Sequence, residues 1–286
     1  MAVSFFLWLK SELTAAVFRV ICRGSTAALF PKPSGRRTTL FILGSGSSVD
    51  DLNQAHWDLV ARHTSIGINY WTTHTFTPTI YALEKARGNT VQALEPLISE
   101  PKRARGSRVL WFGGPNRVNR QLLHLFTRLG GQVWFYSGWP LRVATKRPID
   151  RTIPNLTHVF QNFPSPFRPS IDAGNTVSRM VSLGVLNGWK TIVLLGVDLG
   201  GAYFAGYRGI PENIGSDSDR DASGGVEADG RHRVDAVERG ELRLSRILPR
   251  LDFLFREAGL GCILDGGLNR DRRLGLQSFS WPAQPD

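Results

Sequence analysis

The sequence predicts an α/β protein of Rossmann-like type, a mostly parallel sheet with helices on both faces. Three observations predict it. From Arg37 onward, short apolar runs alternate with stretches of helical spacing, the pattern of successive β-α units. The first run, Leu40-Phe41-Ile42-Leu43, breaks abruptly into the small residues Gly44-Ser45-Gly46-Ser47-Ser48. A later run, TIVLL at 191–195, ends in Gly196-Val197-Asp198. Runs of four or five apolar residues are too short for helices and suit strands buried on both faces.

The elements follow in order. Residues 1–36 form an N-terminal amphipathic helix and linker, 37–269 a nucleotide-binding domain, and 270–286 a tail. In the first segment the apolar stretch 5–9 falls far short of the ~20 residues that span a bilayer. Phe5, Trp8, Leu9, Leu13, Val17 and Val20 share one side, and Lys10, Glu12, Arg19 and Arg23 interrupt the run. That suits a helix lying in a membrane interface; docking on the protein's own core is the alternative. Pro31-Lys32-Pro33-Ser34-Gly35 reads as a linker. After strand 40–43 and its turn come a helix over 49–62, a strand over 64–70 with Asn69 at its end, and a strand over 77–83 closing on Glu84. Then follow a helix over 91–99, a strand over 108–112, a helix over 116–129 and a strand over 132–135.

Residues 138–172, with Pro140, Pro148, Pro154, Pro164, Pro166 and Pro169, read as a long irregular excursion of the kind that forms lids. A helix over 176–187 leads through Gly188-Trp189-Lys190 into the strand 191–195. Residues 200–230, rich in Gly, Ser and Asp, read as a mobile lid-like loop. A helical stretch over 234–258 is split or kinked at Pro249. A short strand at 261–264 ends the domain, and the polar, proline-containing tail reads as loosely held.

Composition narrows the partners. The chain has 286 residues, 42% of them hydrophobic, enough for a sizeable core. Cys22 and Cys262 lie far apart and outside any Cys/His cluster, which points to a reducing, cytoplasmic setting. The net charge of +11 favours an anionic partner, and its dispersal along the chain fits a membrane surface or an acidic substrate. No recognition helix or RNP-type motif marks a nucleic-acid reader.

A strand that feeds a glycine/serine turn into a helix N-terminus leaves backbone N–H groups without partners, a place for a phosphate. The turn Gly44, Ser45, Gly46 and Ser47 is therefore the candidate seat for the phosphate end of a nucleotide, with an ordinary tight connection as the alternative. The dinucleotide fingerprint fails, because its third glycine position is Val49 and no acidic residue follows the second strand. The Walker pattern fails too, since no Gly-Lys-Ser/Thr follows. Asp198 ends a central parallel strand, where open α/β sheets bind ligands; a cap on the following turn is its other reading. Tyr203, Tyr207 and Arg208 open the long loop and are candidate phosphate contacts.

FILGSGSSVDDL, then INYW with Asn69, then GWKTIVLLGVDL resemble, in this order, the bacterial CMP-sialic acid-dependent sialyltransferases of glycosyltransferase family 42. They also resemble small Rossmann-like proteins of the pterin diphosphokinase-like group. The similarity spans roughly 38–269, with its strong parts in those three blocks. It implies a metal-independent, inverting transferase using a CMP-activated acidic sugar, working in cell-surface polysaccharide biosynthesis on a glycan or lipid-linked acceptor. It implies no cofactor beyond the CMP-sugar donor. The family's first-turn asparagine corresponds to Ser45, its second-strand asparagine to Asn69, and its helix-start serine to Thr176 beside Asn175. Its two tyrosines correspond loosely to Tyr203 and Tyr207. Its third asparagine falls on Glu84, a departure that implies a changed donor, a contact to sugar hydroxyls, or lost activity.

The family's catalytic histidine corresponds to His232 in DGRHRVDAV, chosen from His56, His63, His74, His124, His158 and His232. Arg231 and Arg233 beside it would favour the neutral base; a polar residue in a basic loop is the plain alternative. Two rival chemistries stay open. Asp217-Ser218-Asp219-Arg220-Asp221 contains overlapping D-x-D pairs, although within a Gly/Ser-rich loop that suits a solvated acidic segment. Pyrophosphoryl transfer to a pterin would use Mg²⁺ on carboxylates such as Glu84 and Asp198. A non-catalytic nucleotide-binding relative is the third reading.

Overall fold

The computed structural model describes residues 30–35, 38–84, 93–112, 120–135, 140–142, 170–172, 175–199, 203–205, 243–257, 262–265, 276–279 and 281. The strands are β1 (Thr39–Leu43), β2 (Thr64–Ile68), β3 (Ile80–Glu84), β4 (Arg108–Phe112), β5 (Gln132–Phe135), β6 (Pro140–Arg142), β7 (Ser170–Asp172), β8 (Thr191–Leu195), β9 (Cys262–Asp265) and β10 (Gln277–Ser278). The helices are α1 (Gln54–Arg62), α2 (Glu95–Ser99), α3 (Pro101–Ala104), α4 (Arg120–Arg128), α5 (Thr176–Leu186) and α6 (Leu244–Glu257). The architecture is a parallel α/β, Rossmann-like one. The chain divides into two compact units, one from residues 30–65 and 140–286, the other from 66–139 with 1–29.

In the larger unit the strand order is β10-β9-β8-β1, parallel at every step. Leu40 to Leu43 and Ile192 to Leu195 are buried, as runs without polar alternation require. The register sets Leu43 opposite Leu195, so β1 and β8 end level with one another. Helix α6 buries Leu244, Ile247, Leu248 and Leu251, spaced i, i+3, i+4 and i+7, the stripe of a helix packed on a sheet. Of the kink or split that the sequence suggested at Pro249, the split is absent: the helix runs through it from Leu244 to Glu257. Pro249 falls in the second turn and off the buried stripe, so the one intrahelical bond it removes is lost without breaking the packing. Trp189, fully buried, donates its indole N–H to the Pro31 carbonyl at 2.7 Å and fastens the linker to the α5–β8 turn.

Four further expectations are corrected in this unit. The helix expected over 49–62 is a 3₁₀ turn at Ser47–Asp51 followed by α1. Asn53 divides them: its side chain accepts from the His56 N–H at 3.1 Å while His56 Nδ1 accepts from the Asn53 N–H at 3.2 Å. That reciprocal cap starts a new helix. The excursion 138–172 contains β6 and β7, which pair in parallel. The last domain strand is Cys262–Asp265. The tail is held through residue 281: β10 pairs with β9, Phe279 meets Phe41 edge-on at 5.8 Å, and Trp281 meets His56 at 4.3 Å. Phe279 and Trp281 also meet edge-on at 5.1 Å, so the two rings grip together.

In the smaller unit the order is β2-β3-β4-β5, again parallel. Strand β2 stops at Ile68 because Asn69 turns to φ 53, a left-handed value that asparagine tolerates better than most residues. The third strand spans Ile80–Glu84, starting after Pro78, which has no N–H to donate. The helix expected over 91–99 is the shorter α2, followed by an unforeseen α3; α4 is described from Arg120, and the expected start at 116 lies outside the described residues. Arg103 donates to the Thr72 carbonyl at 3.1 Å, the His74 carbonyl at 2.7 Å and the Tyr81 hydroxyl at 3.3 Å. Burial pushes the Tyr81 phenol up from its ordinary value; Arg103 opposes that without cancelling it.

Candidate functional site

The site grows from the level ends of β1 and β8. The chain leaves β1, builds the other strands, and returns at β8 beside it, the kind of connection at which open α/β sheets bind ligands. Past the strands the two backbones keep pairing. The Gly44 N–H donates to the Leu195 carbonyl at 2.7 Å and the Gly46 N–H to the Gly196 carbonyl at 2.8 Å. Two glycines make this approach possible. Gly196 holds φ 64, and a Cβ there would overlap the Gly44 carbonyl; a Cβ on Gly46 would overlap the Asp198 carboxylate.

Asp198 closes the corner. Its two carboxylate oxygens accept from Ser48, one from the N–H at 2.9 Å and the other from the hydroxyl at 2.7 Å. The first donor after the turn is therefore met by the protein's own anion. Because Gly46 is extended (φ −71, ψ 154), the turn alternates like a strand. Gly44, Gly46 and Ser48 face β8 and Asp198. The N–H groups of Ser45 and Ser47 point to the other edge of the turn; both residues are half-buried, and among the described residues no hydrogen bond engages their hydroxyls.

A second segment lies along the turn. Tyr203 bridges Gly46 in antiparallel fashion, the Phe204 N–H donates to the Ser45 carbonyl at 3.0 Å, and the Ala205 N–H donates to Asp50 at 3.0 Å. Phe204 is buried beneath it.

Helix α5 delivers Asn175 towards the same edge. Its Gly184 sits against Leu40 and Ile192, near the starting ends of β1 and β8. The nine residues back to Asn175 rise about 13 Å, the length of the strand path from Leu40 to Gly44. Asn175 caps α5, its side-chain oxygen accepting from the Ser178 N–H at 2.8 Å. The side chain is only 4% exposed, and its Nδ2 donor has no partner. A buried amide donor left unpaired costs about 1–3 kcal/mol. Thr176, next in the helix, is buried as well.

Gly44, Ser45, Gly46, Ser47, Asp198 and Tyr203 thus meet in one corner of the larger unit, with Asn175 and Thr176 on the adjoining helix start. Asn69 and Glu84 belong to the smaller unit, at the carboxyl ends of β2 and β3. Tyr207, Arg208, His232, the D-x-D pairs at 217–221 and the helix expected within 1–29 lie outside the described residues. Sequence reasoning missed Ser48, the partner of Asp198, and Asp50, which holds residue 205. The signal was present: a carboxylate at a buried strand end must find donors, and the facing turn is rich in them. Comparison of the chain with models of protein families, with curated proteins and with solved structures finds no match.

Proposed function

We propose that the protein is a glycosyltransferase of sialyltransferase-like type, moving an acidic sugar from a CMP-activated donor to a glycan or lipid-linked acceptor. The observation that carries this reading is the two-sided turn, Gly44, Gly46 and Ser48 locked onto Asp198 with Ser45 and Ser47 facing outward. The Ser45 and Ser47 hydroxyls then offer contacts to phosphate oxygens, with the unpaired Asn175 amide on the adjoining helix start. Donors held in place before negative charge develops are the strongest means of stabilising a departing phosphate. Asp198 acts by holding the turn.

In the reaction the bond from the anomeric carbon to the phosphate oxygen breaks, and the electron pair leaves with CMP. The acceptor hydroxyl attacks the opposite face through an oxocarbenium-like state, giving inversion. A base removes the acceptor proton, and we assign that role to His232 on its resemblance and its flanking arginines. The reaction as proposed needs no metal. The protein works at a membrane, where lipid-linked acceptors are found.

A thermal-shift panel of CMP, CDP, UDP, GDP, ATP and NAD, followed by a donor-hydrolysis assay on wild type and His232→Ala, tests this. A CMP-selective rise in Tm, with hydrolysis lost in the variant, supports the proposal. A rise selective for ATP with Mg²⁺ replaces it with pyrophosphoryl transfer. CMP binding without hydrolysis in either protein leaves a binding protein.

A further inference from the structure

Residues 101–149 contain ten Lys or Arg and not one Asp or Glu, although the whole chain carries 24 carboxylates. The fold concentrates part of that charge on one rim of the smaller unit. The loop from α3 to β4 meets the loop from α4 to β5: the Gly106 N–H donates to the Gly130 carbonyl at 3.1 Å, and the Gln132 N–H to the Ser107 carbonyl at 2.9 Å. A Cβ on Gly130 would meet Arg105 Cγ at 3.5 Å, so the two loops touch. Lys102 in α3, Arg105 in the loop and Arg108 at the start of β4 flank one connection, Arg128 at the end of α4 flanks the other, and all four are exposed. Among the described residues none of the four pairs with a carboxylate. The nearest in sequence, Glu100, lies 3.5 Å from Arg103 instead. One turn before Arg128 on α4, Leu125 is 41% exposed, an apolar side chain on the cationic face.

We propose that this rim is a docking surface for an anionic lipid bilayer. Cations free of carboxylates, Arg108 lying 5.5 Å over the Trp134 ring, beside an exposed leucine supply the two signals that peripheral attachment requires, charge for the headgroups and an apolar side chain for the boundary beneath them. A single-stranded nucleic acid would be gripped instead by cations interleaved with exposed aromatic platforms. The described aromatics of this rim, Phe126 and Trp134, are buried. The surface is proposed in addition to the N-terminal segment as a membrane contact, and it stands whether or not the protein is a transferase.

Each basic residue near an anionic leaflet changes partitioning about fivefold. The test is sedimentation of the full-length protein with vesicles of phosphatidylcholine, with and without phosphatidylglycerol, at low and physiological salt. Wild type is expected to bind only the anionic vesicles, more weakly at higher salt. Lys102→Gln/Arg105→Gln/Arg108→Gln/Arg128→Gln should lose on the order of a hundredfold or more of that binding. Should the quadruple variant not keep the wild-type Tm, Lys102→Gln/Arg128→Gln serves, with an expected loss of about 25-fold. Unchanged binding by these variants, or equal binding to neutral vesicles, overturns the proposal. So does binding to duplex or single-stranded RNA that the variants lose while keeping the vesicles.

Discussion

Removing Asp198 tests how the corner is built. Its two hydrogen bonds to Ser48, at 2.9 and 2.7 Å, are charge-assisted, and Ser48 is 8% exposed. Asp198→Asn keeps one acceptor for the Ser48 N–H, and its amide can donate to the Ser48 hydroxyl. Each bond falls from about 1.5–2 kcal/mol to about 1 kcal/mol, a loss of about 1–2 kcal/mol. Asp198→Ala loses both bonds and leaves the Ser48 N–H buried without a partner, so it should cost about 3–4 kcal/mol. Ser48→Ala removes only the hydroxyl bond, about 1.5–2 kcal/mol. In the double variant the two losses should overlap by about 1.5–2 kcal/mol. Urea unfolding followed by both far-UV circular dichroism and tryptophan fluorescence gives the values, since two units need not unfold as one. If Asp198→Ala stays within about 0.5 kcal/mol of wild type, or the effects simply add, Asp198 does not hold the turn and the reasoning fails.

Other outcomes follow from the same geometry. Gly46→Ala places a methyl on the Asp198 carboxylate; it should cost about 2–3 kcal/mol in the same unfolding experiment and abolish CMP binding by calorimetry. Tyr81 sets an alkaline limit. Its folded pKa is raised above 10.0, so the folded protein holds a proton that the unfolded chain releases. Stability should be intact below pH 10, then fall as pH rises towards the folded pKa; Tyr81→Phe should flatten that slope while costing about 1 kcal/mol at neutral pH. An unchanged slope would assign the alkaline loss elsewhere. Trp281→Ala removes ring contacts to His56 and Phe41, and proteolysis should then cut the tail before residue 276 without changing the unfolding midpoint of the smaller unit.

Much of the fold was legible because buried parallel strands leave a plain mark. TIVLL and RVLWF appear in the structure with the bounds the sequence suggested, as uninterrupted apolar runs between turn residues. The helix after the turn was read too long because apolar spacing carries across Asn53, while the cap that breaks it depends on a side chain three residues on. The tail was read as loose because proline and polar residues dominate its composition. Its attachment comes from Phe279 and Trp281, whose partners lie more than 200 residues away in sequence. In the site, the glycines of the turn and the aspartate of β8 were each visible. Their mutual lock was not, because nothing local to either stretch says that residue 48 faces residue 198. Asn175 was named only through the resemblance; its unpaired amide is a property of packing.

Amide chemical-shift mapping of the labelled protein during a CMP titration tests the central claim most directly. The N–H groups of Ser45 and Ser47 and the side-chain amide of Asn175 should shift most, with the Ser48 N–H, already on Asp198, moving far less. Saturable shifts clustered elsewhere, or none at millimolar CMP, would contradict a phosphate seat on the outward face of this turn.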